Sequence, residues 1–112
     1  MGDSYTEEYS TSYSSDIITA GSNQIFGGDA DNRGKRDRYG SMDSLVLSSI
    51  AVQDFDVILD NNRRISKMFA RGGLVIKPED GIYFDTVQLV NLGATDTLAS
   101  DVNIKMARSR RI

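Results

Sequence analysis

Short runs in which apolar and polar residues alternate one by one constrain the fold of this chain most strongly. In Asp54–Asp60 the apolar Phe55, Val57 and Leu59 alternate with aspartate and isoleucine. In Asp101–Ala107 apolar side chains again take every second position. Because successive side chains of a strand point to opposite faces, this period of two predicts strands that are buried on one face.

Further apolar runs are separated by residues that favour turns. Ser44–Val52, Leu74–Ile76 and Ile82–Val90 have the composition of strands, and Pro78–Gly81 predicts a turn between the last two. Short strands joined by turns at such spacing are typical of antiparallel sandwiches and jelly rolls. The sequence therefore predicts a small, mainly β domain, an antiparallel β-sandwich or jelly-roll-like fold, over residues 42–112.

The segment 63–71 has two interpretations. Ile65, Met68 and Phe69 have the spacing of one helix face, whereas Ile65, Lys67 and Phe69 have the spacing of one strand face. We favour the strand because the neighbouring segments are predicted strands.

The leading part of the chain, residues 1–41, has a different composition. Residues 4–15 are mostly serine, threonine and tyrosine, and glycines interrupt the rest. The strongly apolar residues are only Ile17, Ile18, Ile25 and Phe26. Such a segment buries too little apolar surface to offset its own loss of conformational entropy. We therefore expect residues 1–41 to be an extended N-terminal arm that becomes ordered on a partner.

Three tyrosines mark the start of this arm. Tyr5, Tyr9 and Tyr13 lie on one face of an extended chain, and they also form a stripe on a helix. The extended form is favoured because serine and threonine are weak helix formers. Tyrosine combines a large contact area with a polar tip, which suits an interface. The residues that we expect to contact a partner are Tyr5, Tyr9, Tyr13, Ile17, Ile18, Ile25 and Phe26, with Arg36 and Arg38 as ionic contacts.

Charge is distributed in blocks. Residues 1–32 contain six acidic and no basic side chains, whereas basic side chains cluster in 33–38 and 108–111. The basic clusters suit either salt bridges to an acidic surface, such as the arm of a neighbouring copy, or contacts with phosphate. The acidic isoelectric point near 4.8 favours the salt bridges and argues against a specific nucleic-acid partner.

The chain has no histidine and no cysteine. This composition excludes a Ser-His-Asp triad, a thiol nucleophile and a zinc site of His and Cys ligands. The carboxylate pairs Asp54/Asp56 and Glu79/Asp80 are expected on a solvated strand face and in a turn. No apolar run reaches the roughly 18 residues of a membrane span. We expect a protein that is not an enzyme, with no metal, no cofactor and no membrane contact.

Three segments of the body resemble a known group of proteins. The stretches GGLVIKPEDGIYFD (72–85), VQLVNLG (87–93) and DVNIKM (101–106) are similar to small β-sandwich structural proteins of tailed-phage virions, with capsid decoration (cement) proteins as the nearest group. The resemblance covers about residues 44–112. It implies a compact β domain, an arm laid over a capsid shell, and assembly into trimers or other homo-oligomers.

The function expected from sequence is therefore structural. The chain is expected to be a decoration protein located in the virion, where it binds the major capsid protein and stabilises the shell. The alternatives are a neck, tail or baseplate component, which would contact other virion subunits, and a glycan-binding β-sandwich.

Overall fold

The computed structural model describes residues 4–28, 34, 37–60, 63–64 and 72–111. In this part of the chain, eight strands build two antiparallel four-stranded sheets. The strands are β1 (Tyr5–Ser14), β2 (Asn23–Gly27), β3 (Ser44–Ser49), β4 (Phe55–Leu59), β5 (Arg63–Arg64), β6 (Gly73–Ile76), β7 (Thr86–Asn91) and β8 (Val102–Arg111). Sheet A has the order β1-β8-β3-β6, and sheet B has the order β2-β7-β4-β5. The predicted β-sandwich is confirmed.

The strand pairing follows a simple rule. The first strand pairs with the last, β2 with β7, β3 with β6 and β4 with β5, all antiparallel. Two further ladders, β3 with β8 and β4 with β7, complete the sheets. A long antiparallel hairpin that is rolled up in this way gives the strand order of a jelly roll.

Alternation along the strands fills the space between the sheets. In β3, Leu45 and Leu47 are buried while Val46 is exposed, and in β8 Val102, Ile104 and Met106 point inward as predicted. The largest fully buried side chains are Phe55, Phe84, Met42, Leu45, Leu47, Leu59, Leu89, Ile104, Met106, Val57, Val87 and Val102. Their burial is the main stabilising contribution to the fold.

The outward face of β4 differs from the expectation. Phe55, Val57 and Leu59 are buried on one face as predicted, but Asp56 on the other face is also buried rather than solvated.

The prediction of an extended N-terminal arm is wrong for the described residues. β1 pairs with β8 from Tyr5 opposite Arg111 to Ser14 opposite Asn103, with a bulge between Glu7 and Tyr9. A strand needs only one apolar face, and the facing sheet supplies the apolar surface that this segment lacks. Alternate side chains of β1 therefore face inward, and the serines between them face solvent.

The boundary predicted between residues 41 and 42 is likewise not a domain boundary. β2 pairs with β7 along its whole length, from Asn23 opposite Val90 to Gly27 opposite Thr86. Each sheet thus contains one strand from the leading third, and the described residues share one core.

Strand limits and turns differ in detail from the sequence prediction. The predicted strand Ile82–Val90 begins four residues later, because Phe84 instead forms an isolated bridge with Met42. The turn at Pro78 is confirmed as a 3-10 turn closed by Gly81 in the left-handed conformation. In the segment 63–71 only Arg63–Arg64 is described, as strand β5, so the choice between helix and strand for Ile65–Phe69 lies outside the described residues.

Candidate functional site

Three connections meet at one end of the sandwich. They join β1 to β2 (residues 15–22), β3 to β4 (50–54) and β7 to β8 (92–101). Backbone hydrogen bonds hold them together: Thr97 N–H donates to Ile18 O (3.0 Å), and Ile50 N–H donates to Asp101 O (2.9 Å). The three connections therefore form one continuous surface.

This surface exposes large aliphatic side chains. Among the described residues, nine large hydrophobic side chains are exposed, and five of them lie on these connections. The five are Ile17, Ile50, Val52, Leu92 and Leu98, and we refer to them as the apolar end. Ile50 is 70% exposed and Leu98 is 72% exposed. Several exposed aliphatic side chains at one end of a domain favour that end as a surface that contacts another molecule.

A buried asparagine fixes the shape of the apolar end. Asn91 is fully buried, and its amide group donates to Ile18 O (3.0 Å) and to Thr95 O (2.9 Å). Its side-chain oxygen accepts a hydrogen bond from Gly93 N–H (2.8 Å). One side chain thus links the connection after β1 to the connection after β7, and such fully satisfied buried networks rigidify a structure.

Gln53 makes a second link within the apolar end. Its amide group donates to Thr95 Oγ1 (3.0 Å) and to Asp96 O (2.8 Å). The chain passes so close that a Cβ at Gly93 would lie 2.7 Å from Gln53 Cγ, so position 93 requires glycine. The apolar end is a preformed surface of defined shape.

The three connections that carry the apolar end also carry acidic residues. The three connections contain Asp16, Asp54, Asp96 and Asp101 and no basic residue. Two of these carboxylates also cap backbone groups: Asp96 accepts from Ala20 N–H (3.0 Å), and Asp101 accepts from Leu98 N–H (3.0 Å). A partner that covers this end would be favoured by basic side chains around an apolar centre.

The structure separates the residues that were predicted to anchor the arm. Phe26 and Ile18 lie in the core, only 3% and 2% exposed. Tyr9 is buried, with its hydroxyl donating to Gly40 O (3.2 Å) and its ring 5.5 Å from that of Tyr39. The ring of Tyr13 packs 5.8 Å from that of Phe26. These side chains hold the chain's own fold together.

The remaining predicted anchors are more accessible. Ile17 belongs to the apolar end, and Ile25 is exposed on the edge strand β2. Tyr5 is partly buried at the start of β1, opposite Arg111. Only Ile17 among the predicted anchors therefore shares a surface with the other exposed aliphatic side chains of the loop connections.

The described parts of the two basic clusters meet at the opposite end of the sandwich. Arg38 is exposed with its guanidinium 5.2 Å from the Tyr39 ring centre, while Arg36 lies outside the described residues. Arg108 donates to Ser41 O (3.0 Å) and lies 5.5 Å from the centre of the Tyr83 ring. These contacts orient Arg108 along the loop that precedes β3.

Acidic residues of β1 contact basic residues of β8 within the same chain. Glu7 accepts from the Lys105 ammonium group at 2.9 Å, and Glu8 lies 4.0 Å from Arg110. The hydrogen bond from Lys105 holds the pKa of Glu7 below its ordinary value. Part of the acidic leading segment is thus neutralised by its own sheet neighbour.

Sequence reasoning missed four members of the apolar end. The sequence predicts Ile50 and Val52 at the end of a strand, but β3 stops at Ser49. Leu92 and Leu98 lie in a connection whose path depends on Asn91. The sequence feature that indicates these four residues is the position of large aliphatic residues next to turn-forming residues.

Other kinds of site are not found in the described ranges. Within them, no group of three or more His, Cys, Asp or Glu side chains is placed to hold a metal ion. Their helical segments are also too short to cross a membrane. Comparison of the chain with family models, with curated protein sequences and with solved structures finds no match.

Proposed function

We propose that the protein is a virion structural protein of the capsid decoration type, and that it docks on the shell through its apolar end. The exposure of Ile17, Ile50, Val52, Leu92 and Leu98 on one rigid surface carries this proposal. It replaces attachment by an extended arm, because the described part of that segment is used by the fold itself.

The apolar end by itself provides only a modest binding free energy. Full burial of an aliphatic side chain contributes about 1.5–3 kcal/mol, so the exposed parts of five such side chains supply roughly 5–9 kcal/mol. That is modest against the cost of association, which is about 4–15 kcal/mol. Charge attraction and further contacts with the shell must therefore add to the affinity.

The acidic residues of the three connections specify the chemistry of the partner surface. Asp16, Asp54 and Asp96 lie on the same connections as the apolar side chains, and a capsid surface that combines lysine or arginine with an apolar hollow would complement them. Exposed charge pairs are screened by salt. The association rate should fall as the ionic strength rises.

The architecture supports the proposal by analogy. Jelly-roll domains are common in viral capsids, although they also occur in lectins and enzymes. The resemblance of segments 72–85, 87–93 and 101–106 to phage decoration proteins points in the same direction.

Substitutions at the apolar end test this proposal. Leu98→Ser and Val52→Ser should each weaken binding to virus particles stripped of the protein by at least about tenfold, since an exposed-to-buried aliphatic group is lost. Thermal unfolding should change little because both side chains are exposed. Co-sedimentation with the particles measures the binding.

The matched controls are Val46→Ser and Val75→Ser, which remove exposed valines from the outer face of sheet A. They should bind like the unsubstituted protein. If the apolar-end variants bind as well as the controls, the proposed attachment surface is wrong. If the protein is absent from purified particles by mass spectrometry, the virion function itself is wrong.

The neck, tail or baseplate role remains a second candidate, because the same apolar end would dock on any structural subunit. The number of copies per particle separates the two roles. A shell protein is present in numbers that scale with the capsid lattice, whereas a tail or neck component is present in a few copies.

A further inference from the structure

No described strand pairs with the outer edge of β1. β1 is the edge strand of sheet A, and among the described strands it pairs only with β8. Ser15 N–H donates to Val102 O (2.9 Å) at the end of this ladder. Because hydrogen-bonded and non-bonded pairs alternate in an antiparallel ladder, the backbone groups of Ser10, Ser12 and Ser14 point away from β8. Ser12 and Ser14 are exposed.

The second half of this edge, residues 9–14, lacks the usual protection against pairing. Natural edge strands are commonly short or carry lysine or proline. The opposite edge of the sheet, β6, has four residues, whereas β1 has ten and contains neither lysine nor proline. The bulge between Glu7 and Tyr9 interrupts only the first half, so residues 9–14 form a regular edge.

We propose that β1 pairs with β1 of a second copy of this chain, antiparallel about a two-fold axis through Thr11. In this register Ser10 of one copy lies opposite Ser12 of the other, and their outward backbone groups form the hydrogen-bonded pairs. The two copies of sheet A then join into one continuous eight-stranded sheet.

The side chains agree with this register. On the inward face, Thr11 lies opposite Thr11, and Tyr9 lies opposite Tyr13. Threonine pairs and aromatic pairs are favourable across antiparallel strands, and like charges placed opposite one another are unfavourable. Glu8 lies opposite Ser14, whereas an axis at Glu8 would place two glutamates opposite each other.

Pairing through β1 determines how the two apolar ends face the shell, and this statement about attachment rests on the proposed function. Because the paired strands are antiparallel, the two apolar ends point in opposite directions. A dimer would therefore dock on the shell through one apolar end and present the other away from that surface, so attachment is not bivalent on a single shell. It also replaces the trimer implied by the family resemblance with a two-fold assembly.

Charged side chains introduced on the edge test the pairing directly. Light scattering after size-exclusion chromatography should show a concentration-dependent species of twice the chain mass of 12.3 kDa. The double variant Ser10→Lys/Ser12→Lys and the double variant Ser10→Glu/Ser12→Glu should each be monomeric, because the register places like charges opposite each other. An equimolar mixture of the two should dimerise again.

Ser48→Lys is the matched control, because Ser48 lies on the same outer face but in the interior strand β3. It should dimerise like the unsubstituted chain. Circular dichroism verifies folding, and the Glu variant alone carries the test if the Lys variant, which places a lysine opposite Lys105, does not fold.

Three results would overturn the pairing: a wild-type chain that stays monomeric at every concentration, a dimer that survives both double variants, or a mixture that fails to dimerise. Leu98→Ser should leave the dimer intact. Its effect on particle binding therefore reports on the proposed function separately from the pairing.

Discussion

Replacement of Phe26 by alanine is expected to lower the free energy of unfolding by about 3–5 kcal/mol, the usual cost of deleting a buried phenylalanine ring. Phe26 is 3% exposed on β2, and its ring packs against Tyr13 of β1. The substitution leaves a cavity where the two strands of the leading third meet the core. Urea denaturation monitored by circular dichroism measures the loss.

The neighbouring Ile25→Ala is the matched control, because Ile25 lies on the same strand but is 50% exposed. Its effect should be below about 1 kcal/mol, since exposed positions contribute little. Equal and small effects of the two substitutions would mean that β2 does not belong to the fold, and the account of the leading third would fail.

Asn91→Ala is expected to be similarly costly. The substitution leaves the carbonyl groups of Ile18 and Thr95 and the N–H of Gly93 without the partner that Asn91 provides. Ile18 O keeps the hydrogen bond from Thr97 N–H, so the groups that lose their partner are Thr95 O and Gly93 N–H. Each buried polar group left unsatisfied costs about 1–3 kcal/mol, so a total loss of about 2–5 kcal/mol is expected. Thermal or urea unfolding measures the loss.

The same substitution should loosen the apolar end. Amide exchange of Thr97, whose N–H donates to Ile18 O, should become faster than in the unsubstituted protein. Asn23→Ala, at an exposed position of β2, is the control and should change the stability by less than about 0.5 kcal/mol. If Asn91→Ala behaves like the control, the asparagine does not position the connections.

The strands that could be predicted from sequence are those whose pattern is local. The alternation in Asp101–Ala107 predicts which side chains of β8 point inward, and Pro78 predicts the turn before β7. In both cases neighbouring residues along the chain decide the structure, so no knowledge of distant partners is needed.

The prediction of an extended arm is wrong because the structure of the leading third depends on distant strands. β1 pairs with β8, so Ser14 lies opposite Asn103, which is far along the chain. A segment rich in serine and threonine has little apolar surface of its own, and its strand forms because β8 pairs with it and because distant residues such as Phe26 and Tyr39 pack against its tyrosines. The composition of residues 1–41 alone does not show which distant strands pair with them.

The apolar end depends on tertiary contacts in the same way. Ile17, Ile50 and Leu98 are far apart in the sequence, and only the jelly-roll order brings their connections together. Whether each aliphatic residue is buried or exposed is decided by where its strand stops. The alternation of Ser44–Val52 does not mark the end of β3 at Ser49.

Hydrogen exchange on the isolated chain, followed by NMR, tests the central claim most directly. The amides of Thr11 in β1 and Phe26 in β2 are directed at β8 and β7, so they should be strongly protected, as Leu47 and Leu89 are in the interior strands. If Thr11 and Phe26 exchange as fast as an unstructured peptide while Leu47 and Leu89 stay protected, the leading segment is an arm and not part of the jelly roll.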